Sequence, residues 1–208
     1  MSYFLPVALG QNMARLRRLS LWAPAVLLMA WLPMAAAQAH TGDSKDKVAA
    51  DVIRIDLDAL SKATWTAQER ENAELITDFI QHIMNDHDFE WVMQKHGEDN
   101  YVQHNRNLAE GIPGVIESVE GIVKRFPEYT YDVKKIYVDG DFVIFHSHVT
   151  MKEEDRGDES KGLIITDTWR VVDGEIREHW DAIQPLDGSM RFFTLMNGGK
   201  IRNTNSIF

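Results

Sequence analysis

Asp167-Thr-Trp-Arg170-Val-Val-Asp-Gly174-Glu-Ile-Arg-Glu178-His-Trp-Asp181-Ala-Ile-Gln184 is the stretch on which the fold turns. Asp173-Gly174 is a hairpin signal between two runs rich in β-branched and aromatic residues. Residues 162–172 and 175–184 therefore read as paired antiparallel strands, the second closed by Pro185. Both strands carry ionisable side chains in apolar surroundings. Arg170 is expected to pair with an acid such as Glu178 or Asp181. Two registers are open. A two-residue turn pairs Val172 with Glu175 and Asp167 with Trp180, so that Asp167 and Asp181 face opposite ways. A three-residue loop with a bulge pairs Val171 with Glu175, which sets Asp167 opposite His179 and puts Asp181 on the same face. A slip of one residue inverts every side chain, and pattern alone does not choose.

Upstream, the same two-residue alternation continues. Residues 129–138 and 141–151 form a second hairpin around Asp139-Gly140, and a charged loop at 152–161 joins the two hairpins. In the strand from Phe142, side chains His146 and His148 share a face. Before the strands the period changes to that of helices. Thr66-Ala-Gln-Glu69 is a capping box, followed by Ala73, Ile76, Phe79, Ile80, Ile83 and Met84 at helical spacing. Asp88 caps a short helix that Gly97 stops. A third helix runs from about Pro113 to Phe126, and Pro127 ends it. Helices followed by about four antiparallel strands define an α+β domain. A strongly curved sheet wrapped on a helix leaves a pocket, and the ionisable residues of the strands are its natural lining.

The N-terminus reads differently. Arg15, Arg17 and Arg18 precede an apolar run from Leu19 to about Ala37, which ends in Ala37-Gln38-Ala39. This is the layout of a secretory signal peptide. The alternative is a membrane anchor, but Pro24 and Pro33 interrupt a run that is already short for a span of about 20 residues. Residues 1–39 are expected to be removed, 40–64 to form a linker or arm, and 65–208 to form the domain, in the periplasm or outside the cell. Removal takes three arginines and no acid, so the mature chain carries 19 basic against 32 acidic residues, a net charge of −13. The full chain of 208 residues has a net charge of −10 and no cysteine. The acidity opposes binding to a phosphate backbone. The lack of cysteine excludes disulfides, thiolate metal sites and a cysteine nucleophile.

Four clusters of polar side chains stand where a core would not tolerate them unpaired: Tyr101-Val-Gln103-His104-Asn105, His146 with His148, Thr166 to Arg170 with an acid and a base, and Glu178 to Asp181 with three ionisable groups. These segments resemble the SnoaL-like polyketide cyclase family of the nuclear transport factor 2-like superfamily, over about Thr66 to Gln184. The resemblance implies a cone-shaped α+β barrel: three N-terminal helices packed in a strongly curved antiparallel sheet around a deep apolar pocket. It also implies a dimer formed through the sheet, an aldol-type reaction without cofactor or metal, and a register in which Asp167 and Asp181 both face the cavity.

From these residues the expected chemistry is proton abstraction next to a carbonyl, or the reverse carbon–carbon cleavage, on a small hydrophobic or aromatic molecule. A carboxylate in an apolar cavity has its charged form disfavoured and so becomes a stronger base. Asp181 is the expected base. His104, with Asn105 or Tyr101, would stabilise the enolate oxygen, and Asp167 with His148 would orient groups or relay protons. Tyr101, Gln103, Asn105, His146, His148, Trp169 and Gln184 are the expected substrate contacts. Two alternatives stand beside this: a binding module without chemistry, and a metal site built from His104, His146, His148 and Asp167 or Asp181. Nothing in the sequence points to nucleic acid, or to membrane insertion once the signal segment is gone.

Overall fold

The computed structural model describes residues 52–197 and 202–205. The expected signal segment and most of the linker lie outside the described residues. Among the described residues, no helix is long and apolar enough to cross a membrane.

The capping box at Thr66 forms as its spacing requires. The Thr66 hydroxyl accepts from Glu69 N at 3.2 Å, and Glu69 Oε2 accepts from Thr66 N at 2.7 Å. It starts α2 (Ala67–Ile80), which follows a single turn, α1 (Leu57–Leu60). Ala73, Ile76 and Ile80 on α2 are fully buried, each stabilising the fold by roughly 1–3 kcal/mol. The helix does not end where its apolar stripe suggests. It widens into a π-helical turn, Gln81–Asp86, whose Gln81 side chain bonds both Ile53 O and Ile55 N and so ties the upstream arm to the domain. Asp88 caps α3 (Phe89–His96) as read from the sequence. Next, α4 (Gly111–Arg125) begins two residues before Pro113.

The sheet has five strands in the order β1-β5-β4-β3-β2. β2 (Thr130–Asp139), β3 (Phe142–Thr150), β4 (Leu163–Val172) and β5 (Glu175–Pro185) form antiparallel pairs. β1 (Val102–Gln103) is too short for the sequence pattern to show, and it pairs parallel to β5. A C-terminal helix, α5 (Gly188–Asn197), also goes beyond the sequence reading. The expected α+β arrangement, helices packed against a curved antiparallel sheet, is the one observed. Leu163, Ile165, Asp167, Trp169 and Val171 alternate inward along β4 against α2 and α4.

The β4–β5 register combines parts of both alternatives. Asp173 and Gly174 both have positive φ, 53° and 76°, which makes a tight two-residue turn of the mirror-image type, with Val172 opposite Glu175. The ladder then shifts between Val171 and Arg170, whose partners are Ile176 and Glu178, so Arg177 is a bulge. From there on the pairing is Trp169 with His179 and Asp167 with Asp181. The bulge lies inside the strand and not at the turn. Without it, Glu178 and Trp180 would point inward and both His179 and Asp181 outward.

The loop before β4 closes on Gly162, at φ 76°. A Cβ there would stand 2.1 Å from Val149 O, a backbone atom of β3, whose residue pairs with Leu163, so relief requires the strand itself to shift. Gly162→Ala is expected to destabilise the domain by at least about 1–3 kcal/mol, the range for forcing a side chain into a left-handed backbone. Urea unfolding of the variant measures this.

Candidate active site

β4, β5 and β2 present Asp167, His179, Asp181 and Tyr131 to a cavity of about 110 Å³. Helices α2 and α4 close it with Phe79, Ile80, Val115, Val119 and Ile122, so the polar groups sit at one wall of a mostly apolar hollow. Asp167 and His179 are buried and Asp181 is partly buried.

The wall is one connected hydrogen-bond network. Asn105 N donates to Gln103 Oε1 at 2.8 Å, and Gln103 Nε2 donates to Tyr101 Oη at 3.1 Å, which fixes the orientation of the Gln103 amide. His179 Nδ1 lies 3.1 Å from that same Oε1, an acceptor, so Nδ1 carries a hydrogen. His179 Nε2 lies 3.0 Å from Asp167 Oδ1. A proton must stand between these two atoms, either on the imidazole or on the carboxyl. Asp167 Oδ2 accepts from the Tyr131 hydroxyl. Tyr131 is itself held by Asn85 of the π-helical turn, which bonds Tyr131 O and N, each at 2.9 Å. On the other side, Asn105 Nδ2 donates to both oxygens of Asp181, at 2.7 and 2.8 Å.

Electrostatics separates the roles. Burial pushes the Asp181 carboxyl upward. The Asp167 charge adds to this, and His179 and the Asn105 amide oppose it without cancelling it. Burial, followed by the two carboxylates, pushes the Tyr101 phenol well above its ordinary value; burial and Asp167 do the same to Tyr131. Both phenols therefore remain O–H donors. Tyr131 spends its proton on Asp167. Tyr101 accepts from Gln103, which leaves its own proton to be donated into the cavity.

A family model, the SnoaL-like domain, matches residues 76–179, half of the chain. The chain belongs to the SnoaL-like domain family. Solved structures similar to this SnoaL-like chain include a protein described as a polyketide cyclase from Bacillus cereus ATCC 10987, with 20% identity over 64% of this chain and 83% of that one and a TM-score of 0.47. Another is described as a SnoaL-like polyketide cyclase, from Jannaschia sp. CCS1, with 15% identity over 66% and 99% and a TM-score of 0.49. A third is an NTF2-like protein of unknown function from Cytophaga hutchinsonii ATCC 33406, with 18% identity over 55% and 90% and a TM-score of 0.41. No curated protein matches the chain.

Of the residues expected from the sequence, the SnoaL-like cavity is lined by Tyr101, Asn105, Asp167, Trp169 and Asp181. Gln103 is fully buried behind it and orients His179. The remaining four lie elsewhere. His104 stacks on Trp180, centroids 4.4 Å apart and 3° from parallel, with Nε2 3.0 Å from Glu178 on the outer face of β5. Residues 101, 103 and 105 turn inward there and 102 and 104 outward, so His104 does not reach an enolate in the cavity. Burial pushes the Glu178 carboxyl up, but hydrogen bonds from Arg170 and His104 outweigh it and hold the group below its ordinary value. This is the partner expected for Arg170. His146 and His148 do share a face, but it is the outer one. There His146 Nδ1 meets Thr166 Oγ1 at 3.3 Å and His148 Nε2 donates to Lys161 O at 2.8 Å. Gln184 is exposed. Two further residues line the cavity: His179, named above in a polar cluster but not among the expected contacts, and Tyr131, which the sequence reading did not single out. His179 was legible only with the bulge, and Tyr131 only as an inward position of β2.

The three histidines of the expected metal set are therefore not gathered. Among the described residues, the His/Asp/Glu trio whose ligand atoms do converge is Asp167, His179 and Asp181, within 4.8 Å of one another. An ion there would have to displace the proton shared by Asp167 and His179 and the Asn105 bonds to Asp181.

Proposed function

We propose that this protein is an acid–base enzyme that needs no cofactor and removes a proton next to the carbonyl of a small, largely apolar molecule. The observation that carries this reading is the pairing of Asp181, a carboxylate made more basic by its apolar cavity, with the uncommitted hydroxyl proton of Tyr101. Asp181 takes the α-hydrogen as a proton. The C–H electron pair moves into the enolate, and the carbonyl π pair goes to oxygen, where the Tyr101 hydroxyl donates a hydrogen bond. Such a donor is worth roughly 10²–10³ in rate. The Asp167–His179 pair holds one labile proton in the same wall and returns it to the enolate carbon or to a product oxygen. Reprotonation at another carbon is isomerisation; attack on a second carbonyl is an aldol closure; the reverse is lyase chemistry. A cavity of about 110 Å³ is smaller than the roughly 150 Å³ that accepts benzene, so a fused multi-ring polyketide does not fit inside it.

Binding without chemistry is the second reading. It is favoured by the protein partners that Asp167, His179 and Asp181 already have. One experiment separates the two. With 2-butanone or cyclopentanone in D₂O, the enzyme is expected to accelerate loss of the α-proton signals in the NMR spectrum over buffer alone. A rate equal to that of buffer for both ketones sinks the acid–base reading.

A further inference from the structure

The loop that carries Asn105 has no regular structure of its own. Residues 104–110, between β1 and α4, form neither strand nor helix. Within the loop, Asn105 Oδ1 accepts from Asn107 N at 2.8 Å, and Asn105 O accepts from Leu108 N at 3.1 Å. The first of these bonds decides which way the carboxamide faces. With Oδ1 turned to Asn107, Nδ2 is turned to Asp181. The course of the loop backbone therefore sets where the amide meets the carboxylate.

That course is held from the C-terminal tail, 98 residues further along the chain. Arg202 N donates to Arg106 O at 2.8 Å. Asn203 Nδ2 donates to Asn105 O at 3.0 Å and to Leu108 O at 3.1 Å. Asn205 Nδ2 donates to Gln103 O at 2.8 Å and also to Glu110 Oε1. Asn203 is only 7% exposed, although its neighbours Arg202 and Thr204 are exposed. Both of its amide hydrogens are spent on the loop, and its Oδ1 accepts from Asn205 N at 3.1 Å. A side chain that only filled space here would be better apolar, because a buried amide costs free energy unless it is bonded. The residues it reaches are particular as well. Asn105 and Leu108 line the cavity, and Gln103 orients His179. The tail grips the loop at the residues that build the polar wall.

We infer that the C-terminal tail is a brace for the base: Asn203, supported by Asn205, fixes residues 103–110 in the course that sets the Asn105 amide against Asp181, and is thus a positioning residue for proton abstraction. This rests on the acid–base reading for what Asp181 does, but the placement of Asn105 by the tail does not depend on it.

Two variants test the brace: Asn203→Ala, and deletion of residues 202–208, which leaves the helices and the sheet untouched. The first readout needs no substrate. In ¹⁵N-labelled protein, the side-chain amide signals of Asn105, assigned by their absence in Asn105→Ala, are expected to exchange with water slowly. In both tail variants this exchange should speed up roughly tenfold or more, as loss of a bond to a charged acceptor allows. The second readout is loss of the α-proton signals of 2-butanone in D₂O, which should slow by up to about 10²-fold, the scale of a misplaced reacting group. Added to Asn105→Ala, Asn203→Ala should cause no further slowing, because it acts through Asn105. Unchanged Asn105 amide exchange in both tail variants overturns the inference. So does an unchanged 2-butanone rate, or a second loss of full size in the Asn105→Ala background. If the unaltered protein exchanges no ketone, the acid–base reading fails, and the Asn105 amide signals alone decide whether the tail braces the loop.

Discussion

Asp181→Asn is expected to abolish α-proton exchange, with a fall of about 10²–10⁴ in rate or more, and yet to leave the protein no less stable at neutral pH. The amide keeps the shape and presents an oxygen to Asn105 Nδ2, but it cannot take a proton from carbon. The sign of the stability effect follows from linkage. The Asp181 carboxyl ordinarily titrates at 3.8 and is raised in the folded protein, first by burial and then by Asp167 across the ladder. The native state therefore binds this proton more tightly than the unfolded chain does. The penalty is absent in acid. It builds as pH rises from 3.8 through the raised value and is fully present above it. The variant carries no such penalty, so it should melt above the parent at pH 7, with the difference shrinking as pH falls towards 3.8. Paired calorimetric melts across that range measure it, alongside the exchange assay. If the variant melts well below the parent at pH 7, the carboxylate is a structural group. Exchange that persists places the base elsewhere.

What the sequence disclosed and what it concealed both trace to the hydrogen-bond ladder. Capping at Thr66 and Asp88, the strand alternation from Thr130 to Gln184 and the turns at Gly140 and Gly174 are local features, and they folded as read. Asp167 and Asp181 were legible as residues of the cavity wall because no apolar strand buries a carboxylate without cause. Their mutual placement was not legible. The Arg177 bulge has no mark of its own in the sequence, yet it decides that His179 and Asp181 face in while Glu178 and Trp180 face out. His104 was misplaced for a related reason. A run of four polar residues around Val102 looked like one cluster, but an extended backbone sends alternate members to opposite sides. His146 and His148 were rightly put on one face. Which face it is depends on β2 and β4 as neighbours, and both faces of β3 mix polar and apolar side chains. Tyr131 enters the site through Asn85, a contact 46 residues distant in the chain that no local pattern announces.

Removing His179 tests the opposite face of the same electrostatics. His179→Leu should cost about 3–5 kcal/mol at pH 7, the usual loss when one partner of a buried ion pair is deleted, out of a net stability of the order of 5–15 kcal/mol for a domain. The leucine fills the space against Trp169, which stacks on the imidazole at 5.3 Å. What it cannot do is answer Asp167. That carboxylate is 4% exposed and would keep only the Tyr131 hydroxyl as a partner. Gln103 Oε1 would still accept from Asn105 N, so the damage concentrates on one charge. A second substitution isolates the cause. Asp167→Leu added to His179→Leu removes the orphaned charge and should recover much of the stability, short of the roughly 1–3 kcal/mol left by the stranded Tyr131 hydroxyl. Urea unfolding at pH 7 of the parent, the single and the double variant reads both terms. A single variant within 1 kcal/mol of the parent at pH 7 would mean that Asp167 is already neutral in the native state. The shared proton would then lie on the carboxyl and not on the imidazole, and Asp167 would be the acid of the site.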